Sequence, residues 1–173
     1  MTKIFFALLF LLCSYEPAYL QEDLHVDVKS FDIVPGVGLQ TKTVRFDYNR
    51  VGNEEETQFV LDHVNVRYTV AASMEIEIDF QFTRNGTLQN FVKSVKGYDC
   101  GRETMNYDKG ALTDRSFEPY EEEDCAGETR EHAVAKNKES LDSHDLERAA
   151  FEVEEAGKYR DLFAELCKSL LKE

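Results

Sequence analysis

With 173 residues, the chain is long enough for one domain with a sizeable core and too short for two comfortable domains. Its 34 acidic side chains outnumber its 20 basic ones, which gives a formal net charge of −14. Nucleic acids and anionic membranes both require a basic partner surface, so this charge argues against either as a binding partner.

The first residues, MTKIFFALLFLLCSYEPAYL, have the pattern of a signal peptide. A lysine precedes an apolar run at residues 4–12, and the polar stretch that follows allows cleavage after Ser14 or before Gln21. A membrane anchor would need about 20 apolar residues, whereas this run breaks at Ser14. We therefore predict a signal peptide at residues 1–20 and a single secreted, extracellular domain at residues 21–173, with no membrane span.

Apolar and polar residues then alternate in a way that predicts five strands before Cys100. The four clearest strands carry their apolar residues at Leu24, Val26 and Val28, at Val44, Phe46 and Tyr48, at Val60, Val64, Val66, Tyr68 and Val70, and at Met74, Ile76, Ile78, Phe80 and Phe82. The segment TLQNFVKSVKGYDC is a weaker fifth strand. Short turns separate the strands, so we expect neighbours to pair antiparallel as a meander.

The last fifty residues allow either a helix or a strand, and the segment SLDSHDLERAAFEVEEAGKYRDLFAELCKSLLKE within them is rich in helix formers. Helical spacing relates Tyr159, Leu162, Phe163, Leu166 and Leu170, and on this pattern a helix is expected from about Asp145. Gly157 would interrupt it at a cost on the order of 1 kcal/mol relative to alanine. The whole is predicted to be a mainly β domain whose C-terminal segment is either helix or strand.

The cysteines allow one disulfide in a secreted chain. Cys13 lies in the predicted signal peptide, which leaves Cys100, Cys125 and Cys167. We favour a Cys100–Cys125 bridge, because it would close the polar, turn-rich loop GRETMNYDKGALTDRSFEPYEEED and contribute roughly 3 kcal/mol in the chain-entropy model. Cys167 is then free, buried or paired with another molecule.

Asn85 begins an acceptable glycosylation sequon, Asn85, Gly86 and Thr87, at the point where strand alternation stops. The Asn-Gly pair is equally typical of a tight turn between strands. Glycosylation of Asn85 and a turn at Asn85 are both expected.

Motifs for catalysis, for a metal or for a cofactor are missing from the sequence. The histidines have no partner at metal-ligand spacing and are interpreted as polar strand or loop residues: His25, His63, His132 and His144. Ser143, His144 and Asp145 have the residue types of a triad, but adjacent residues cannot converge as one. We therefore predict a protein that is not an enzyme and that carries no cofactor or metal.

The segment from Val44 to Cys100, which begins VRFDYNRVGN and contains MEIEIDFQFTRNG, resembles the strand-rich half of the CheB-like chemosensory proteins, a family of small secreted insect proteins. That family is distantly similar to the ganglioside activator and to the ML lipid-recognition domains. The resemblance continues in AGETREHAVAKN after Cys125 and in EEAGKYR. The chain departs from the family at Ala126, where a proline is usual, and in its helix-forming C-terminal segment.

The resemblance implies an antiparallel cup or sandwich of two sheets that holds a lipid-like or pheromone-like molecule. The cavity would then be lined by the inward residues of consecutive strands: Phe46, Tyr48, Val64, Val66, Tyr68, Ile76, Ile78, Phe80 and Phe82. Tyr48 and Tyr68 could supply hydroxyl groups that orient the ligand.

The residues by themselves leave a second interpretation open, because apolar faces of this kind most often fill each other as a dry core. The protein would then be a secreted interaction protein that acts on another protein, such as a receptor, through its surface or through Cys167.

Overall fold

A computed structural model describes residues 20–30, 40–52, 57–70, 74–96, 101–120, 135, 137 and 140–170. Seven strands form one antiparallel sheet in sequence order. The strands are β1 (Leu20–Ser30), β2 (Gln40–Gly52), β3 (Thr57–Val70), β4 (Met74–Phe82), β5 (Leu88–Lys96), β6 (Gly101–Asp108) and β7 (Ala111–Pro119). One long helix, α1 (Ser143–Leu170), follows. The five strands predicted before Cys100 and their antiparallel meander are confirmed.

The expected second sheet is not found among the described residues. All seven strands belong to one sheet, and α1 forms the layer that covers its apolar face. A helix covers the sheet because the apolar residues of the C-terminal segment recur every three or four positions. Such residues form one continuous apolar stripe on a helix but not on a strand. Of the two alternatives for this segment, the helix is the one observed.

The prediction of a polar loop between Cys100 and Cys125 is wrong for most of that segment, because β6 and β7 form a hairpin there. A two-residue turn joins the strands at Lys109 and Gly110, both of which have positive φ, 51° and 84°. Such turns match the twist of antiparallel strands. Asn137 closes the outer edge of β7, since its side-chain amide accepts from Phe117 N and donates to Phe117 O, each at 2.8 Å.

The helix begins with a reciprocal cap. Asp145 N donates to Asp142 Oδ1 at 2.8 Å, and Asp142 N donates to Asp145 Oδ2 at 3.0 Å, so each side chain satisfies a backbone donor of the first turn. Gly157 lies inside α1 without ending it. The helix therefore starts two residues before the predicted position and continues through Gly157.

The core lies between the sheet and α1, on the face predicted by the alternation. Val44, Phe46, Val64 and Phe80 are at most 1% exposed. A bulge in β3 changes the alternation near one end, because Asp47 pairs with His63 whereas Tyr48 pairs with Leu61. The extra residue turns Leu61 toward the core. Val60, which the alternation placed on the core face, is instead half-buried.

Candidate functional site

The residues predicted to line a cavity all lie on the sheet face that α1 covers. Most of them belong to the buried core, and Tyr68 and Ile78 pack against it; Ile76 is also buried. The wall opposite them is α1 rather than a second sheet. That these side chains contact a ligand stays a prediction.

Aromatic rings from α1 contact this face directly. The Phe163 ring lies 5.6 Å from the Phe46 ring and 5.3 Å from the Tyr48 ring, measured between centroids, and the Tyr159 ring lies 5.6 Å from the Phe80 ring. Contacts of this kind stabilise beyond the area that they bury. The C-terminal half of α1 therefore makes an apolar, aromatic interface with β2 and β4.

The sequence patterns did not predict some of the residues that are buried at this interface. Phe91 and Met105 are fully buried, and Leu61 and Leu88 are nearly so. Phe91 was in the strand with the weakest pattern and Met105 in the segment interpreted as a loop. The signal that could have identified Met105 is the alternation of Met105 and Tyr107 with polar neighbours.

The N-terminal half of α1 contacts the sheet through charged side chains. Arg148 donates to both carboxylate oxygens of Glu103 on β6, with Nη1 2.7 Å from Oε1. This is the paired geometry in which guanidinium and carboxylate groups bind most strongly. It connects α1 to the sheet at the end opposite to the aromatic interface.

A second ion pair lies beside the first turn of α1. Arg115 Nε on β7 is 2.8 Å from Asp145 Oδ2, and the two side chains are only 10% and 7% exposed. The N–H bond of Nε does not point at this oxygen, so the contact is an ion pair without a hydrogen bond, and neither Nε nor Nη2 donates to any acceptor in the described part of the chain.

Glu152 and Tyr107 complete the polar end of the interface. Burial raises the pKa of the Glu152 carboxyl, and the nearby charges of Arg148 and Lys93 only partly oppose this. Burial also raises the pKa of Tyr107, with a further contribution from the Glu152 carboxylate. The Tyr107 hydroxyl donates to Met105 Sδ at a distance of 3.5 Å. A thioether sulfur is a weak acceptor. Glu152 and Tyr107 are both buried, so the polar end of the interface is largely shielded from solvent.

The opposite face of the sheet carries a network centred on His63. Its ring nitrogens each lie 2.8 Å from a carboxylate oxygen, Nδ1 from Asp47 Oδ2 on β2 and Nε2 from Asp79 Oδ1 on β4. Ionised carboxylates only accept hydrogen bonds, so both ring nitrogens donate and the imidazole is charged. His63 therefore connects three neighbouring strands.

The network extends at both ends. Arg45 Nε donates to Asp47 Oδ1 at 2.7 Å. Asn65 Nδ2 donates to Asp79 Oδ1 at 2.7 Å and to Glu77 Oε1 at 2.8 Å. Arg67 pairs with Glu77 at 2.6 Å. His63 thus lies on a polar strand face, as predicted, but its partners are 16 residues away along the chain.

The pKa values in this network shift in the directions that its geometry requires. The hydrogen bond to Asp79 raises the pKa of His63 above 6.5; burial opposes this, and the bond to Asp47 adds to it. Burial alone would raise the pKa values of Asp47 and Asp79, but their hydrogen bonds, of which those from His63 are the largest, lower both below 3.8. Each of these shifts favours the charged form of its group.

The start of α1 brings Asp142, His144 and Asp145 close together, with one potential ligand atom from each within 4.8 Å of the others. The reciprocal cap described above already uses the carboxylates of Asp142 and Asp145. His144 is exposed. Helix capping accounts for this cluster.

The remaining predicted positions have mixed outcomes. Cys100, Cys125, His132 and residues 1–19 lie outside the described residues, so the disulfide and the signal peptide stay predictions.

Cys167 is a free, buried thiol whose pKa burial raises to about 11. Asn85 is exposed in the turn between β4 and β5, where Gly86 has positive φ. The turn is confirmed, and glycosylation of Asn85 stays a prediction.

Comparisons with protein-family models, with curated proteins and with solved structures found no match. The resemblance to the CheB-like and ML proteins therefore stays a prediction from the quoted residues. No helix in the described ranges is long and apolar enough to cross a membrane.

Proposed function

We propose that the protein is a secreted, non-enzymatic binding protein for a hydrophobic small molecule, either a lipid or a pheromone-like compound. The ligand would lie between the sheet and α1, so that the helix takes the place of the second wall of the cup. The observation that carries the proposal is the composition of this interface. It is apolar and aromatic over most of its length and ends in a small buried polar cluster, which is the usual composition of a ligand site.

The construction of the interface supports the proposal further. One helix covers the apolar face of the sheet, and it is anchored at its N-terminal half by the Arg148–Glu103 and Arg115–Asp145 ion pairs. The C-terminal half is held by contacts such as Phe163 on Phe46. A shift of this second half alone would open space between aromatic rings while the ion pairs keep α1 attached.

The secreted setting and a role in chemosensation are parts of the proposal that rest on the sequence. The predicted signal peptide, the sequon at Asn85 and the predicted disulfide support secretion. The chemosensory role rests on the resemblance alone. A receptor protein would be the partner to which a loaded carrier delivers its ligand.

The test measures uptake of a fluorescent fatty-acid probe by the mature protein, together with extraction of any lipid that copurifies with it. Phe80→Ala and Ile78→Ala remove parts of the proposed wall and should weaken probe binding while lowering stability by less than the roughly 3–5 kcal/mol typical of a phenylalanine in a solid core. Phe151→Ala is a matched control, because Phe151 lies on the outer side of α1 and is 57% exposed.

A second candidate function is a secreted interaction protein with a solid core that acts on another protein. The ring contacts between α1 and the sheet favour it, because they fill the apolar interface with side chains of the protein itself. Phe151 and Leu146 add exposed apolar surface on α1. A parent protein that binds no probe and carries no lipid, combined with a loss of roughly 3–5 kcal/mol in Phe80→Ala, would decide for this function and against the carrier.

A further inference from the structure

Arg115 is a nearly buried cation, two of whose nitrogens have no hydrogen-bond acceptor in the described part of the chain. Its side chain is 10% exposed and lies on β7 under the first turns of α1, within ion-pair distance of Asp145. Its partner across the sheet is Met105, which is fully buried. Two of its nitrogens, Nε and Nη2, are buried and donate to no acceptor among the described residues.

This arrangement is costly for a guanidinium group. Arginine cannot escape by losing its proton, and a buried donor without an acceptor is unfavourable, more so when it is charged. The Asp145 carboxylate supplies charge but not the missing acceptor, because neither Nε nor Nη2 directs a hydrogen bond at it. An acceptor oxygen from outside the chain would satisfy Nη2.

The surrounding charges decide what kind of oxygen fits. Asp145 already balances the charge of Arg115. Further along α1, burial raises the pKa of the Glu152 carboxyl, and the charges of Arg148 and Lys93 only partly oppose this, so a buried carboxylate on this side of α1 is disfavoured by its loss of solvent. A ligand carboxylate would place a second anion, in addition to Asp145, beside Arg115 in a site with little solvent, and burying a charge without its own partner is unfavourable. A neutral carbonyl or ester oxygen would accept the same hydrogen bond without that cost.

We propose that Arg115 anchors the polar end of the ligand through a neutral acceptor oxygen, so that the site prefers an apolar ester, ketone or aldehyde to a free acid or a hydrocarbon. This inference rests on the proposed carrier function and specifies its ligand class. The apolar chain would extend from Arg115 past Met105 and toward the aromatic interface.

The experiment uses the mature protein loaded with a neutral fluorescent probe and measures displacement of the probe by methyl dodecanoate, dodecanoate and dodecane at neutral pH. The ester should bind about tenfold more tightly than the other two, since the difference is one hydrogen bond to a charged donor. Arg115→Met should remove this preference while the binding of dodecane stays the same.

Two further variants keep the test decisive. Arg115→Lys retains a cation beside Asp145 but has one nitrogen in place of the guanidinium fork, so it cannot hold the position of Nη2; it should fold even where Arg115→Met does not, and it should also lose the preference for the ester. Arg102→Met removes an exposed arginine of β6 and should keep the preference.

Three results would overturn the inference, and they differ in what they say about the proposed function. Displacement by dodecanoate as strongly as by the ester, or an ester preference that survives in both Arg115 variants, would refute the role of Arg115 and leave the carrier function standing. A parent protein that binds neither the probe nor any of the three compounds would refute both.

Discussion

Replacing His63 by glutamine would test how much the network on the outer sheet face contributes to folding. His63 is the side chain that joins Asp47 on β2 to Asp79 on β4, through two contacts of 2.8 Å. Glutamine is neutral and reaches only one of the two carboxylates with its amide group. The substitution therefore leaves at least one half-buried carboxylate without its charged partner.

The expected loss follows from these contacts. A hydrogen bond to a charged group contributes roughly 1.5–3 kcal/mol. His63 and Asp79 keep 24% and 27% of their side-chain surface exposed, so solvent screens the interaction, and glutamine retains one hydrogen bond. We therefore expect His63→Gln to lower the free energy of unfolding by about 2 kcal/mol at mildly acidic pH.

The loss should depend on pH with a defined sign. The pKa of His63 is raised in the folded protein above its ordinary value of 6.5, so its contribution is fully present below that value and is lost as pH rises through the folded pKa. The slope is at most about 1.4 kcal/mol per pH unit. The pKa values of Asp47 and Asp79 are lowered below 3.8, so their contributions are present above that value and are lost in acid.

Urea denaturation followed by circular dichroism measures both effects; the chain has no tryptophan to report by fluorescence. The stability difference between the parent and His63→Gln should be largest between the two pKa ranges and should shrink at alkaline pH. His144→Gln is the control, because His144 is exposed. A difference that is equally large at mildly acidic and at alkaline pH would refute the assignment of a charged His63.

Three further predictions concern packing. Phe163→Ala removes the ring contacts with Phe46 and Tyr48 and should lower the free energy of unfolding in urea by clearly more than Phe151→Ala does; a cost near that of Phe151→Ala would contradict the observed contacts. A Cβ at Gly101 would overlap the Phe117 ring, so Gly101→Ala should lower the free energy of unfolding. This loss should be smaller when Phe117 is also replaced by alanine. An equal loss in both backgrounds would show that the Phe117 ring is not the cause. Cys167 is buried with its pKa raised to about 11, so alkylation mapped by mass spectrometry should be slow in the native protein and fast in urea; fast native labelling would show that α1 opens readily.

The sequence by itself was sufficient for the elements whose side-chain pattern is strong. Alternation in β2, β3 and β4 predicted the strands and, apart from the bulged end of β3, their buried face, because a strand must place successive side chains on opposite sides. Helical spacing of the apolar residues favoured α1 for the same kind of reason, although the prediction kept a strand as the alternative. Both predictions depend only on the local period of the backbone, which the order of residues determines directly.

The hairpin of β6 and β7 and the bulge in β3 were not predicted, because the apolar–polar alternation is weak in the hairpin and interrupted at the bulge. The hairpin of β6 and β7 was missed because most of its residues are polar and its turn is Lys109 and Gly110 rather than an Asn-Gly pair. The bulge at Asp62 was missed because an extra residue in a strand is recognised only from its pairing with the neighbouring strand. That pairing is not visible in the sequence of β3 alone. Leu61 and Met105 therefore joined the core without having been predicted there.

Only the tertiary structure decided which layers meet and which charges pair. Nothing in the period of a strand says whether a second sheet or a helix will cover it, and the choice of α1 depends on how the whole apolar surface is buried. The contacts of His63 with Asp47 and Asp79, and of Arg115 with Asp145, join residues 16 to 30 positions apart. Such pairs are set by sheet register and by the path of α1 across the sheet, and neither is encoded in any local segment of the chain.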